Sequence, residues 1–198
     1  MKETLMYYDE NAEVFINETR DVDFSSVQNL FLSKLKKDAL ILDFGCGSGR
    51  DTKYFLDQGY SVEAADGSAE MCYAASRYTG IKVKQMLFQE LKEQEKYDGI
   101  WACSSILHLT AAELKDVLKK MSTALKRNGI AYVSFKYGTF EGKRNGRYFI
   151  DMTEDTFAKV LKDIDDFEVE EQWITGDVRE GRGDERWLNL ILRKQNEG

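Results

Sequence analysis

Residues 39–52 read Ala-Leu-Ile-Leu-Asp43-Phe-Gly45-Cys-Gly47-Ser-Gly49-Arg-Asp-Thr. An apolar run ends in an acid, and glycine follows at every second position. A continuous apolar run of this length is the pattern of a strand buried on both faces, as in a parallel sheet. Glycines so spaced mark backbone that bends sharply, or that lets another atom come closer than a Cβ allows. The stretch predicts a strand over 39–44 feeding a tight ligand-binding turn. The acid before the first glycine suits a ligand that carries positive charge or N–H and O–H donors.

The same grammar continues downstream. Short apolar runs at 61–66, 81–85, 97–104 and 130–136 read as strands, and helical periodicity occupies 51–58, 68–78, 110–125 and 153–162. Ser68 suits a helix N-cap and Gly80 lies just past the end of that helix. Thr110 and Glu113 have capping-box spacing, and Leu114, Val117, Leu118, Met121 and Leu125 share one face. Asn128-Gly129 is expected to turn the chain into the fifth strand. Residues 167–175 and 186–194 read as an antiparallel closing pair, with Trp173 and Trp187 as cross-strand core partners. Two amphipathic helices, 9–19 and 25–36, precede the sheet.

Strands alternating with helices predict an α/β fold, a doubly wound Rossmann-like sheet. Its seven strands are mostly parallel with an antiparallel last strand, and helices cover both faces. The 198 residues suit one domain. Within it, 1–37 form a helical flank or lid, 38–136 the cofactor-binding core, and 137–198 a substrate-side loop, helix and closing strands.

Lys and Arg number 28 against 35 Asp and Glu, a net charge of −7, which disfavours broad affinity for nucleic acid or anionic membrane. No apolar run is long enough to span a bilayer and no signal peptide is visible, so a cytoplasmic location is expected. Three cysteines without CxxC spacing and one histidine predict free thiols and no protein-held metal.

Asp66 ends the second strand, 21 residues after Gly45. An acid there can accept from both hydroxyls of a ribose. Cys103 and Ser104 close the fourth strand at the topological switch. A nicotinamide cofactor is the rival, which would make the chain an NAD(P)-dependent oxidoreductase. That fingerprint wants G-x-G-x-x-G, yet Arg50 stands where its third glycine belongs.

Residues 39–136 resemble the class I S-adenosylmethionine (SAM) dependent methyltransferases, in particular small stand-alone bacterial methyltransferase-domain proteins. The resemblance implies SAM as cofactor and S-adenosylhomocysteine (SAH) as product. Asp43, Gly45, Gly47 and Gly49 would line the methionine part, Asp66 would hold the ribose, and Gly67 and Met71 would lie near the adenosine. Asp98 would be a structural acid. Where the family often carries an acid for the adenine amino group, this chain has Met86-Leu87-Phe88. Backbone N–H groups and contact with Leu87 or Phe88 would hold the ring instead.

His108, the single histidine, follows the fourth strand and borders the expected transfer cavity as a base or an orienting donor. A helix-entry histidine packed at the surface is the alternative. Residues 136–148 read as a flexible loop, with four basic residues against Glu141 and glycines at 138, 142 and 146. Lys136 and Arg147 are its candidate anion contacts. Residues 173–189 read as a salt-bridged hairpin, with a substrate wall as the alternative. Tyr8 belongs to a tyrosine-bearing start that the family often folds over the cofactor.

The leading function is a SAM-dependent methyltransferase acting on a small-molecule substrate. An RNA or protein methyltransferase is the alternative, and a non-catalytic SAM-binding protein a further one. The chain has no proline, so the Asn/Asp-Pro-Pro-aromatic motif of amino methyltransferases is absent. The acceptor atom stays open among O, N, S and C.

Overall fold

The structure, a computed structural model, describes residues 2–164, 166–179 and 181–195. The first strand, β1 (Leu40–Phe44), lies near the middle of a seven-stranded sheet. Parallel to it run β2 (Ser61–Asp66), β3 (Lys84–Gln85), β4 (Tyr97–Ala102) and β5 (Leu125–Lys136). The last two strands are β8 (Phe167–Gly176) and β9 (Arg186–Lys194). Strand β9 inserts antiparallel between β5 and β8, giving the order β3-β2-β1-β4-β5-β9-β8. This is the doubly wound sheet expected from the sequence, and its switch point falls between β1 and β4.

Alternating side chains of the central strands feed two cores. Leu42, Phe44, Ala131, Val133 and Phe135 pack beneath α6 (Ala111–Ala124) and α7 (Glu154–Lys162). Ile41, Trp101, Ile130 and Tyr132 pack on the other face against α3 (Ser25–Leu32) and α4 (Arg50–Asp57). Trp101 is fully buried, stacks on Tyr132 at 4.0 Å, and meets Phe31 and Phe55 edge-on. Truncating such a residue costs about 3–5 kcal/mol. Asp98 at the start of β4 accepts from the Leu40 N–H and pairs with Lys126, fastening the two central strands.

Several boundaries differ from the sequence reading. The N-terminal region forms three helices: α1 (Lys2–Glu10), α2 (Ala12–Thr19) and α3. The chain leaves helical geometry at Asn11, which divides α1 from α2 and moves the first helical start back to Lys2. The third strand shrinks to two residues, because only Lys84 and Gln85 find partners on β2. The fourth strand stops at Ala102, two residues before Ser104, whose φ of +50° no strand accommodates. Asn128-Gly129 is a bulge inside β5, with Leu125 already paired to Tyr97 and Asn128 at φ +60°. Helix α5 (Ala69–Thr79) carries the expected Ser68 cap and Gly80 stop, and the Thr110–Glu113 box forms on α6.

Residues 141–150, most of which fall in the loop expected over 136–148, form a hairpin of β6 (Glu141–Arg144) and β7 (Arg147–Ile150). Asn145 and Gly146 both adopt positive φ and make its two-residue turn. Trp173 faces Asn189 and Trp187 faces Thr175, so the two tryptophans are diagonal neighbours rather than directly opposed.

Candidate active site

Beyond β1 the chain turns through Gly45, Gly47 and Gly49, all at positive φ. A Cβ on Gly45 would lie 2.4 Å from the Ser105 Cβ, so the turn fits against the segment after β4 only with glycine there. Gly49 packs on Thr79 and Ala75 of α5 and caps α4. The turn, the end of β2 and the end of β4 form one wall of a cavity. Helices α1 and α2 form its roof, where Leu5 lies over Gly67 and Phe15 over Gly47. Thr19 on α2 donates to Ser48 in the turn. Asp9 on α1 accepts from Ser68 at the start of α5, where an anion also meets the positive end of the helix dipole.

Asp66 stands at the centre of that wall. Its two carboxylate oxygens accept from the Gly47 and Ser68 N–H groups, each at 2.9 Å. Burial raises its pKa and these N–H groups counter the rise. Gly67, Met71, Met86, Leu87 and Phe88 continue the surface beside it, with Phe88 edge-on to Phe44 at 4.9 Å. This arrangement, a bare turn, a bidentate acid and an apolar slot, fits an adenosine with a short polar tail.

Of the residues the sequence proposed for the cofactor, Gly45, Gly47, Asp66, Gly67, Met71, Leu87, Phe88, Cys103 and Ser104 line this cavity. Asp43 and Gly49 are not among its lining residues. Asp43 is 2% exposed, accepts from the Thr52 hydroxyl at 2.5 Å, and braces the turn from below. Burial pushes its pKa up to about 8, with the Asp51 charge adding to the rise. Cys103 is a thiol pushed up to about 12 by burial. Ser104 holds its positive φ while its N–H donates to the Ser134 hydroxyl, the kind of strained residue found at ligand sites.

Three residues proposed for the acceptor side come together in one chain of hydrogen bonds. His108 is 6% exposed, in a 3-10 turn after β4. Its Nδ1 lies 2.6 Å from the Tyr148 carbonyl oxygen and its Nε2 lies 2.8 Å from the Tyr8 hydroxyl. A carbonyl only accepts, so Nδ1 carries the hydrogen and Nε2 accepts from Tyr8. Arg147 then donates to the Tyr8 oxygen at 3.3 Å. Burial lowers the His108 pKa to about 4, so the ring is neutral at physiological pH. The Thr4 hydroxyl accepts from the Tyr148 N–H, which ties α1 to β7. Lys136 also lines the cavity, but Glu185 pairs with its ammonium.

The sequence reading missed several residues of this cavity. Asp51 accepts from Gln28, Trp101 and Arg50, and both Asp51 and Arg50 line the wall. Asp177, Arg179, Trp187 and Asn189, from the segment whose alternative reading is a substrate wall, line the cavity beside the β8–β9 loop. Burial alone would raise the Asp177 pKa, yet Arg179 and the Trp187 indole hold it at about 2. An acid and arginines clustered beside a tryptophan over 173–189 were the available signal. Their nearly balanced charges favour a salt-bridged hairpin over a substrate wall.

Comparison with known proteins adds the following. The sequence profile of a family described as "Methyltransferase domain" matches residues 41–129. An uncharacterized methyltransferase of Geobacillus kaustophilus is 29% identical over 96% of this chain and 87% of its own length. The N-terminal Xaa-Pro-Lys N-methyltransferase 1 of Xenopus tropicalis is 30% identical over 63% of this chain, and the match spans 55% of that protein. Among solved structures, the 1,6-didemethyltoxoflavin-N1-methyltransferase of Burkholderia thailandensis, with bound 1,6-didemethyltoxoflavin and SAH, superposes with a TM-score of 0.77. It is 22% identical, covering 98% of this chain and 87% of that one.

Proposed function

Because the chain is a class I SAM-dependent methyltransferase, we propose that it transfers the methyl group to a small-molecule acceptor held beside Tyr8 and His108. The observation that carries the small-molecule reading is the roof. Helices α1 and α2 and the β6–β7 hairpin lie over the acceptor end, fastened by the Tyr8–His108 and Thr4–Tyr148 hydrogen bonds. A cavity covered in this way suits a small molecule held beside the cofactor. The net charge of −7 points the same way, since a phosphate backbone needs cations. The Burkholderia enzyme, whose name specifies a small molecule, supports the same class of acceptor.

Gly45, Gly47 and Asp66 would hold the polar parts of the cofactor, and Gly67, Met71, Leu87 and Phe88 the adenosine. SAM brings a methyl group already activated on a sulfonium. The protein's share is binding, orientation and exclusion of water, and orientation alone can supply roughly 7–11 kcal/mol. Tyr8 and His108 fit an acceptor whose O–H or N–H must lose its proton. That hydrogen would pass to the Tyr8 oxygen while the tyrosine's own proton moves to Nε2 of His108. With Nδ1–H fixed on the Tyr148 carbonyl, His108 presents only its basic nitrogen to Tyr8.

The test is transfer of radiolabelled methyl from SAM into a host-cell extract, followed by size separation, with Asp66→Ala protein as control. Enzyme-dependent label in the small-molecule fraction is the expected result. Label in RNA or protein would overturn the acceptor class.

A further inference from the structure

We propose that the acceptor is a planar, aromatic monocarboxylic acid whose carboxylate sits on Arg147; the assignment rests on the methyltransferase reading above. Five cationic side chains line the cavity, and among the described residues four of them face a carboxylate. Arg50 is paired with Asp51, Lys136 with Glu185, Arg179 with Asp177, and Arg182 with Glu18 at 3.6 Å. Arg147 has no carboxylate partner among the described residues. Its Nη1 donates to the neutral Tyr8 oxygen, and its buried Nε–H has no acceptor among the described residues. A guanidinium on the cavity wall with no anionic partner is costly unless a ligand supplies one.

The surroundings of Arg147 say what kind of anion belongs there. The guanidinium lies over the Tyr7 ring at 4.3 Å, with Phe149 at 5.1 Å and Tyr8 at 5.7 Å. Tyr8 also meets Phe15 edge-on at 5.2 Å, and His108 meets Phe149 at 4.8 Å. A guanidinium set among rings offers a planar fork for a carboxylate and flat apolar walls for a conjugated ring. One cation neutralises one negative charge. Asp51, Asp66 and Asp177 line the same cavity, so a phosphate dianion would leave one charge opposed by carboxylates. Because Tyr8 bonds to both Arg147 and His108, an acid anchored on Arg147 places its ring beside the proton-accepting pair.

The experiment is calorimetric titration of SAH, and then of benzoate, benzamide and phenyl phosphate, into SAH-loaded protein. Wild type is expected to bind benzoate at least about tenfold tighter than benzamide or phenyl phosphate. Arg147→Gln is expected to bring benzoate down to the level of benzamide with SAH affinity within about twofold, and Arg147→Lys to fall between. Equal binding of benzoate and benzamide by wild type would overturn the proposal without recourse to any variant. Tighter phenyl phosphate would overturn the carboxylate assignment. Weakened SAH binding in a folded Arg147→Gln protein would move the guanidinium to the cofactor and overturn the acceptor role. Failure of wild type to bind SAH would remove the methyltransferase reading itself, and the proposal with it.

Discussion

At one end of the cavity, residues 45–47 and 66–71 supply a turn, an acid and a helix start, nearly all of it backbone geometry plus one carboxylate. At the other end, Tyr8, His108, Arg147 and Trp187 arrive from α1, a 3-10 turn, β7 and β9. The Arg147–Tyr8 contact alone joins residues 139 positions apart. The first end is held by local chain geometry and tolerates almost no change of shape. The second is held by long side chains across elements, and its substitution changes chemistry more than fold. A cofactor common to many relatives suits the rigid end, and an acceptor particular to one chain suits the assembled end.

The largest effect should come from breaking the rigid end. Gly45→Ala forces a Cβ to within 2.4 Å of Ser105 and imposes a φ of +88° on an L-residue. The two penalties together amount to roughly 4 kcal/mol. Denaturant unfolding should show that loss and calorimetry a parallel loss of SAH binding. Retained stability and affinity would mean the turn is softer than the contacts require.

The assembled end should reveal itself through pH. The folded His108 pKa of about 4 lies below the ordinary value of 6.5. Its stabilising contribution is therefore complete above about pH 6.5 and is lost as pH falls toward 4, by about 3 kcal/mol in all. Asp43 works in the opposite sense. Its folded pKa of about 8 lies above the ordinary carboxyl value, so its contribution is present at low pH and lost as pH rises toward 8. Subtracting the stability profile of His108→Gln from that of wild type isolates the histidine. A flat difference between pH 4 and 6.5 would show that the ring is not held neutral.

A smaller effect is expected at Tyr8. Tyr8→Phe removes the hydroxyl that bridges Arg147 and His108 and keeps the ring against Phe15. Labelled methyl transfer should fall about a hundredfold, the low end of what a positioned proton acceptor contributes, with SAH affinity unchanged. Equal loss of SAH binding would erase the distinction between the two ends. The smallest effect belongs to Lys143→Ala. Its pair with Glu3 is exposed on both sides, so Tm should move by no more than about 1 °C.

The same contrast explains what could be read in the sequence. Asp43, the alternate glycines and Asp66 are encoded in short windows with fixed spacing, so the sheet and most residues of that cavity wall were legible. Asp43 was legible as a residue but not in its placement. Its burial under the turn follows from the Thr52 hydroxyl, one turn into α4. The β6–β7 hairpin was written plainly as Asn145-Gly146, the strongest short-range hairpin signal. Its glycines and charges suggested a flexible loop instead. The pairing of Lys136 with Glu185, and the lack of a carboxylate partner for Arg147 among the described residues, depend on where β9 and α1 come to rest. No local pattern carries that information.

The division of the cavity is tested most directly by a crystal structure of the protein with SAH. The account predicts the ribose hydroxyls on Asp66 and the adenine against Leu87 and Phe88. The homocysteine should lie over the Gly45–Gly47 turn, leaving Tyr8, His108 and Arg147 free of the cofactor. An SAH carboxylate bound to Arg147, or a ribose away from Asp66, would contradict it.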